Sequence, residues 1–338
     1  MNKWIAHIAL LKRLYKEKRF YPISIQFNLT NKCWCRCIMC KKFTWPQEIL
    51  SVDTILNTIN MFRDTIETVV FSGGEPFLYP HIYELFKKLP DDIEYGILTS
   101  GIFSAREIDS EKVKLIGSKC RWVRFSIDAA DINTYEKIRG VSILELALNN
   151  LERFSKYTNT RVNVVLCKEN LSVEQIKLMF KVFSKYTNSI YFFPVHTFID
   201  QIPTEVNEVI EALKKELDND LEFKSIVANM NTNLFNMLFP NQLKSQKCIV
   251  PFIHFIVDAD GLVWPCCRVL NDNDYYDRVD KNLSYCHVRE LDNYIKTEEF
   301  RTKLLTYFDK QTKFCEGCDR YQEFNYTVEQ FTYTKVFI

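Results

Sequence analysis

From residue 23 onward, short β-branched or aromatic runs alternate with stretches whose apolar residues recur at helical spacing. Ile23–Leu29, Thr68–Ser72, Tyr95–Thr99, Trp122–Asp128, Arg161–Leu166 and Ser189–Val195 read as strands. Val52–Arg63, His81–Lys88, Arg106–Ile116, Ile143–Tyr157 and Val173–Tyr186 read as amphipathic helices between them. Repeated βα units predict a parallel sheet covered by helices, here a partial (β/α)6 barrel that stops short of the eight units needed for closure. The pattern breaks near residue 200. Pro203–Leu221 reads as a charged helix and Phe223–Leu243 as a mixed, helical one. IHFIVDADGLVWPCCRV then predicts a β-hairpin turning at Asp260–Gly261, with a helix at about Leu291–Tyr307. The expected division is an amphipathic helix over 1–22, a barrel over 23–200, a helical linker over 201–245 and a separate domain over 246–338. The first of these carries Trp4, Ile5, Ile8, Leu11 and Tyr15 on one face.

Charge narrows the function classes. The formal net charge of +1 over 338 residues leaves no nucleic-acid footprint. No apolar run approaches membrane-spanning length, and the start has no small-residue cleavage site, so a cytoplasmic protein is expected. In that reducing compartment twelve cysteines point to metal before disulfides. Cys33, Cys37 and Cys40 form C-x3-C-x2-C directly after the first strand. Three thiolates leave one iron of a cubane open to a small chelating molecule. A structural zinc site wants four closed ligands and fits this spacing poorly. Cys35 stands too near its neighbours to share the cubane and is taken as a bystander. At the other end, Cys248, Cys266, Cys315 and Cys318 supply four thiolates, which close either an iron–sulfur cluster or a zinc ribbon.

The segment F-S-G-G-E-P at Phe71–Pro76 places two of only eight glycines together after the second strand. With the cysteine triad one strand earlier, it resembles the radical S-adenosylmethionine (radical SAM) enzymes, over residues 23–200. T-S-G at Thr99–Gly101, S-I-D at Ser126–Asp128 and Y-E-K-I-R-G at Tyr135–Gly140 resemble the family's peptide- and sugar-modifying branch. The resemblance implies a 4Fe–4S cluster on Cys33, Cys37 and Cys40 and cleavage of S-adenosylmethionine (SAM) to a 5′-deoxyadenosyl radical. It implies SAM contacts from Met39, Gly73, Gly74, Glu75, Pro76, Thr99, Ser126 and Arg139. In that assignment backbone or Glu75 takes the methionine ammonium, Thr99 or Ser100 reaches the ribose, and Ser126 with Arg139 holds the carboxylate; a surface ion pair is the other reading of Arg139.

D-G-L-V-W-P-C at Asp260–Cys266 resembles the auxiliary-cluster domains of the same family, in the one-cluster twitch form of the SPASM type. That implies a second 4Fe–4S cluster on Cys248, Cys266, Cys315 and Cys318. The implied activity is oxidation or epimerisation of a sugar- or aminocyclitol-like small molecule. The alternatives are modification of a ribosomally made peptide or, more remotely, a non-catalytic metal scaffold. Some 22 residues before the first strand are too few for a leader-binding domain, which leans toward the small molecule. A flavodoxin- or ferredoxin-type protein is the expected electron donor. Cys267, Cys286 and Cys167 are the candidate hydrogen donors, each also readable as an incidental thiol; Cys120 reads as core and His196 as a polar rim residue.

Overall fold

The computed structural model describes residues 9–10, 13–14, 16–103, 109–194, 206–234, 247–267, 269–270, 281–311 and 315. Nine strands occur among them: β1 Ser24–Asn28, β2 Thr68–Ser72, β3 Glu94–Thr99, β4 Cys120–Ser126, β5 Asn159–Leu166, β6 Ser189–Pro194, β7 Asn231–Thr232, β8 His254–Val257 and β9 Val263–Trp264. The helices are α1 Val52–Met61, α2 Ile82–Lys88, α3 Ser110–Lys119, α4 Ile132–Arg139, α5 Leu144–Ser155, α6 Val173–Phe183, α7 Val206–Asn219, α8 Leu221–Ala228, α9 Val250–Ile253, α10 Leu291–Tyr294 and α11 Glu298–Phe308. The βα alternation expected from the sequence is present as a parallel α/β fold. Two helices escape the periodicity reading, the four-residue α9 and α4, whose eight residues include only a short apolar stripe. Helix α4 starts where Asp131 accepts a hydrogen bond from Thr134 N and stops at Gly140, which adopts φ 67°. The single helix expected at Leu291–Tyr307 is two, α10 and α11. Thr297 caps the second through Phe300 N.

The chain packs as two compact units, each discontinuous in sequence. The smaller holds 1–27, 53–69 and 240–338; the larger holds 28–52 and 70–239. The linear division with boundaries near 22, 200 and 245 therefore gives way to an interleaved one. The physical reason is strand pairing: β1 runs parallel to β8, Ser24 opposite His254 through Phe27 opposite Val257. The face expected on the first 22 residues (Trp4, Ile5, Ile8, Leu11 and Tyr15) lies outside the described residues.

In the larger unit the strand order is β7-β6-β5-β4-β3-β2, and β3 to β7 pair in parallel. Alternate side chains fix which face the helices cover. Phe125 of β4 meets Phe154 of α5 at 6.0 Å between ring centroids, and Phe192 of β6 meets Phe180 of α6 at 5.7 Å. Val123, Phe125, Val162, Val164, Ile190 and Phe192 are fully buried on that side. Their neighbours Trp122, Arg124, Ser126, Arg161, Asn163 and Tyr191 consequently face the other way, and all are half-buried.

In the smaller unit β8 and β9 pair antiparallel, Ile256 opposite Trp264. The turn between them uses Gly261 at φ 82°, where a Cβ would stand 2.4 Å from His287 Nε2. An aromatic core of Phe20, Phe62, Phe255 and Phe300 packs this unit, with centroid separations from 5.0 to 6.0 Å.

Candidate functional site

The loop after β1 carries the first cysteines, and the Gly-Gly segment after β2 holds it in place. Gly74 N donates to Thr30 O at 2.7 Å, and Glu75 N to Lys32 O at 2.7 Å. A Cβ on Gly73 would stand 2.5 Å from Thr30 O, and one on Gly74 2.3 Å from Lys32 O. Close approach of the two loops thus requires glycine, with Gly73 also at φ 130°. The loop's other flank is tied to the end of α4: Arg36 N donates to Arg139 O at 2.8 Å and Ile38 N to Ile138 O at 3.0 Å. Gly140 permits this too, since a Cβ there would lie 2.8 Å from the Arg36 backbone. Arg36 itself folds over the loop and donates from Nη1 to Cys33 O at 2.8 Å and to Cys35 O at 2.9 Å. Nothing in the sequence marks Arg36, because its partners are backbone carbonyls.

Within that loop Cys33 is half-buried, Cys35 and Cys37 are buried, and Cys40 is exposed. Cys35 is hydrogen-bonded to Cys33 and to Cys37. The bond with Cys33 does most to push its thiol up, to about 12, against the opposing effect of Cys37. The Cys37 thiol is also raised, by its bond with Cys35 and by burial, while Arg139 works the other way. Cys35, a bystander on spacing, therefore lies between two of the expected ligands.

Arg139, 7% exposed, donates from Nη1 toward Cys37 Sγ at 3.6 Å and sets its Nε 2.6 Å from Asp128 Oδ2. The pair is buried and not the surface ion pair that the sequence left open. Burial works against the guanidinium charge, yet Asp128 and the neighbouring thiols hold it protonated well above its ordinary range. Asp128 Oδ1 accepts from Val165 N at 2.7 Å. Asn170 bonds to Asp128 O and Val165 O, each at 2.8 Å, locking the ends of β4 and β5 together. The phenol of Tyr135 is buried without a hydrogen-bond partner, and it feels the charges of Arg139, Cys35, Asp128 and Cys37. The donor set is thus thiols with an arginine and an orphaned phenol beside them. Soft sulfur ligands with nearby donors suit an iron–sulfur group. Among the described residues no group of three His, Cys, Asp or Glu side chains is arranged to hold a single metal ion.

Glu75 does something the motif did not announce. Its carboxylate is wholly buried and accepts from Thr99 Oγ1 at 2.7 Å, Phe77 N at 3.1 Å, Ser100 N at 2.8 Å and Ser100 Oγ at 2.5 Å. Burial alone would push its pKa up; those donors oppose the shift. The Thr99 and Ser100 hydroxyls that the sequence resemblance aims at a ribose are turned onto Glu75, and they accept from Gly101 N and Ile102 N. Glu75 is therefore a strut between the ends of β2 and β3. Pro76 opens the short 3-10 turn Pro76–Leu78 that follows. Ser126 ends β4 on the face away from the helices, in register with Asn163. Met39 and Val165 pack against the buried pair Ile138 and Cys167. Cys167 lies beside this site, its thiol raised to about 12 by burial first and then by its bond to Glu169.

The second cysteine set belongs to the smaller unit. Cys248 N donates to Phe308 O at 2.8 Å, Cys266 follows β9, and Cys315 follows α11. Burial pushes the Cys266 thiol well up, and Cys267, Cys248 and Cys315 add to the shift, so these sulfurs share one neighbourhood. Cys318 and His196 lie outside the described residues. Cys286 faces β9, its carbonyl accepting from Val263 N at 2.9 Å, with its thiol raised to about 12 by burial. Cys120 is buried and raised by desolvation.

Residues 27–180 match the Radical SAM superfamily. A GTP 3',8-cyclase of Aliarcobacter butzleri is 30% identical over 141 residues, 39% of this chain and 42% of that one. The mycofactocin maturase MftC of Mycolicibacterium smegmatis is 26% identical over 157 residues, 44% of this chain and 39% of that one. A UPF0026 protein of Helicobacter pylori is 26% identical over 117 residues, 32% of this chain and 38% of its own length. The chain thus spans less than half of each of these three relatives. Among solved structures, Streptococcus suis SuiB overlays with a TM-score of 0.61 at 16% identity, covering 80% of this chain and 67% of that one. The anSMEcpe structure with bound AdoMet and Cp18Cys peptide overlays at 0.62 and 16% identity, covering 89% and 87%. At such identities the likeness establishes the fold.

Proposed function

We propose that this chain, whose residues 27–180 match the Radical SAM superfamily, is a radical SAM enzyme that oxidises or epimerises a small molecule of the sugar or aminocyclitol type. A flavodoxin- or ferredoxin-type protein would supply the electron. The observation that carries the chemistry is the loop Cys33–Cys40, locked between Gly73–Gly74 on one side and the end of α4 on the other. Cys33, Cys37 and Cys40 would hold a 4Fe–4S cluster, which supplies one electron to cleave the sulfonium of SAM and start hydrogen abstraction. Arg36 fixes the loop through its carbonyls, and Arg139 offers a charged donor to Cys37. Glu75 keeps the ends of β2 and β3 rigid, so Gly73, Gly74 and Pro76 meet SAM through their backbone, with Thr99 contributing main chain. Met39 would flank the adenine, while Ser126 and Arg139 would hold the methionine carboxylate.

Cys248, Cys266, Cys315 and Cys318 would hold a second 4Fe–4S cluster. Support comes from the common neighbourhood of the first three and from the hairpin that presents Cys266. Cys167, Cys267 and Cys286 are the candidate thiols that would return a hydrogen atom. Cys167 has the most direct support, through its packing on Met39. Modification of a ribosomally made peptide is the second reading. It is favoured by the fold likeness to SuiB, solved with its precursor peptide SuiA at a TM-score of 0.61, and to anSMEcpe with its peptide.

Anaerobic reconstitution with iron and sulfide tests the whole. About eight irons per chain, two cubanes' worth, and 5′-deoxyadenosine on adding SAM and dithionite are expected. A colourless zinc protein that yields no 5′-deoxyadenosine would overturn it.

A further inference from the structure

The face of the larger unit's sheet turned away from α5 and α6 carries two arginines side by side. Arg124 of β4 and Arg161 of β5 are register partners on parallel strands. The alternation that buries Phe125 and Val162 under the helices turns both toward the other face. Each guanidinium carbon lies over an aromatic ring: Arg124 over Trp122, 3.9 Å from its centroid, and Arg161 over Tyr191 at 4.1 Å. The Trp122 indole lies over β3 at Gly96, its register partner, where a Cβ would stand 2.1 Å from the ring. Tyr191 is held from its other end by a bond from its hydroxyl to Asn231 Oδ1 at 3.1 Å. The two cations are thus set on a constructed platform.

Neither arginine has a carboxylate partner among the described residues, and Arg124 Nε is buried without any acceptor. Two like charges in register destabilise a sheet, and burial lowers the pKa of both, that of Arg124 to about 10, which leaves it protonated at neutral pH. Arg161 also bonds to the Tyr191 hydroxyl, and its remaining N–H groups together with the partnerless Arg124 Nε are the donors with which arginine grips a carboxylate or phosphate. One pleat further along the same strands lie Ser126 and Asn163, and the buried Asn163 Oδ1 also lacks a partner. The pair therefore adjoins the level of the proposed SAM contacts.

We propose that Arg124 and Arg161 form the substrate-recognition site of this enzyme and take an oxyanion, a carboxylate or phosphate borne by the substrate. This rests on the radical SAM reading and refines its substrate class. An aminocyclitol with an unmasked ammonium is disfavoured at this wall. A sugar acid, a sugar phosphate, or an acidic peptide residue is favoured.

The test titrates reconstituted holoenzyme with succinate and, separately, with inorganic pyrophosphate, following heat of binding and thermal midpoint. One of the two is expected to bind and raise the midpoint. Its affinity should fall at least tenfold in Arg124→Gln and in Arg161→Gln, and be recovered poorly by Arg124→Lys, which keeps charge but not the fork. Succinate binding assigns a carboxylate substrate, pyrophosphate a phosphate. Without added anion, both glutamine variants should melt at or above the parent temperature, because a repulsion is relieved. Arg121→Gln, on the exposed start of β4, is the control and should bind as the parent does. Failure of both anions to bind, or binding that survives both substitutions, overturns the proposal, as do variants that lose binding only because they melt well below the parent. Formation of 5′-deoxyadenosine by the same preparation shows separately whether the radical SAM reading stands.

Discussion

The two cysteine sets are built by opposite routes. Cys33, Cys35, Cys37 and Cys40 share one loop, so chain connectivity brings their sulfurs together and the fold only has to clamp the loop. Gly73–Gly74, Arg36 and the end of α4 do that clamping through backbone bonds of 2.7–3.0 Å. Cys248, Cys266 and Cys315 come from three separate segments, and only the folding of the smaller unit makes them neighbours. A loop-borne set tolerates substitutions that loosen the domain. A set assembled from distant segments depends on the whole unit. The first set is also provided with a charged donor, Arg139, at 3.6 Å from Cys37, which suits a group that must stay reducible in place.

Four experiments bear on this contrast. The largest effect is expected from Cys37→Ala, which should abolish formation of 5′-deoxyadenosine while leaving the second site's iron, about four per chain. Loss of all iron instead would mean that the sites are not independent. Next, Cys315→Ala should keep SAM cleavage but stop substrate turnover and lower iron to about four; unchanged product yield would refute an auxiliary role. Glu75→Ala, which strands several buried donors at roughly 1–3 kcal/mol each, should lower unfolding free energy by about 3 kcal/mol or more. Its measurement by chemical denaturation tests the strut directly: a near-neutral result would return Glu75 to a ligand-binding role. Smallest is Cys35→Ala. With Cys33, Cys37 and Cys40 as ligands, iron content and cleavage should stay within about twofold of the parent. Loss of the cluster would make the thiol that bridges Cys33 and Cys37 in this structure a true ligand.

Much of this framework is legible in the sequence. Strand β2 falls where the apolar run places it, and the helix-facing residues of β4 and β5 follow from alternation. The cysteine spacings and the Gly-Gly pair are local signals, and local signals survive in a sequence. Helix α4 escapes such a reading because eight residues give too little period. The role of Glu75 escapes it because the motif says that a carboxylate is needed there, not what it faces. Arg36 and Asn170 bind backbone atoms, which no side-chain pattern records.

By itself the sequence determined the parallel α/β order and the loop after β1 that carries Cys33, Cys37 and Cys40, because each is written in spacing over a few residues. Tertiary structure alone decided that Glu75 supports and Arg139 pairs with Asp128. It alone placed Arg124 beside Arg161, since register and burial arise only when strands distant in sequence are laid edge to edge.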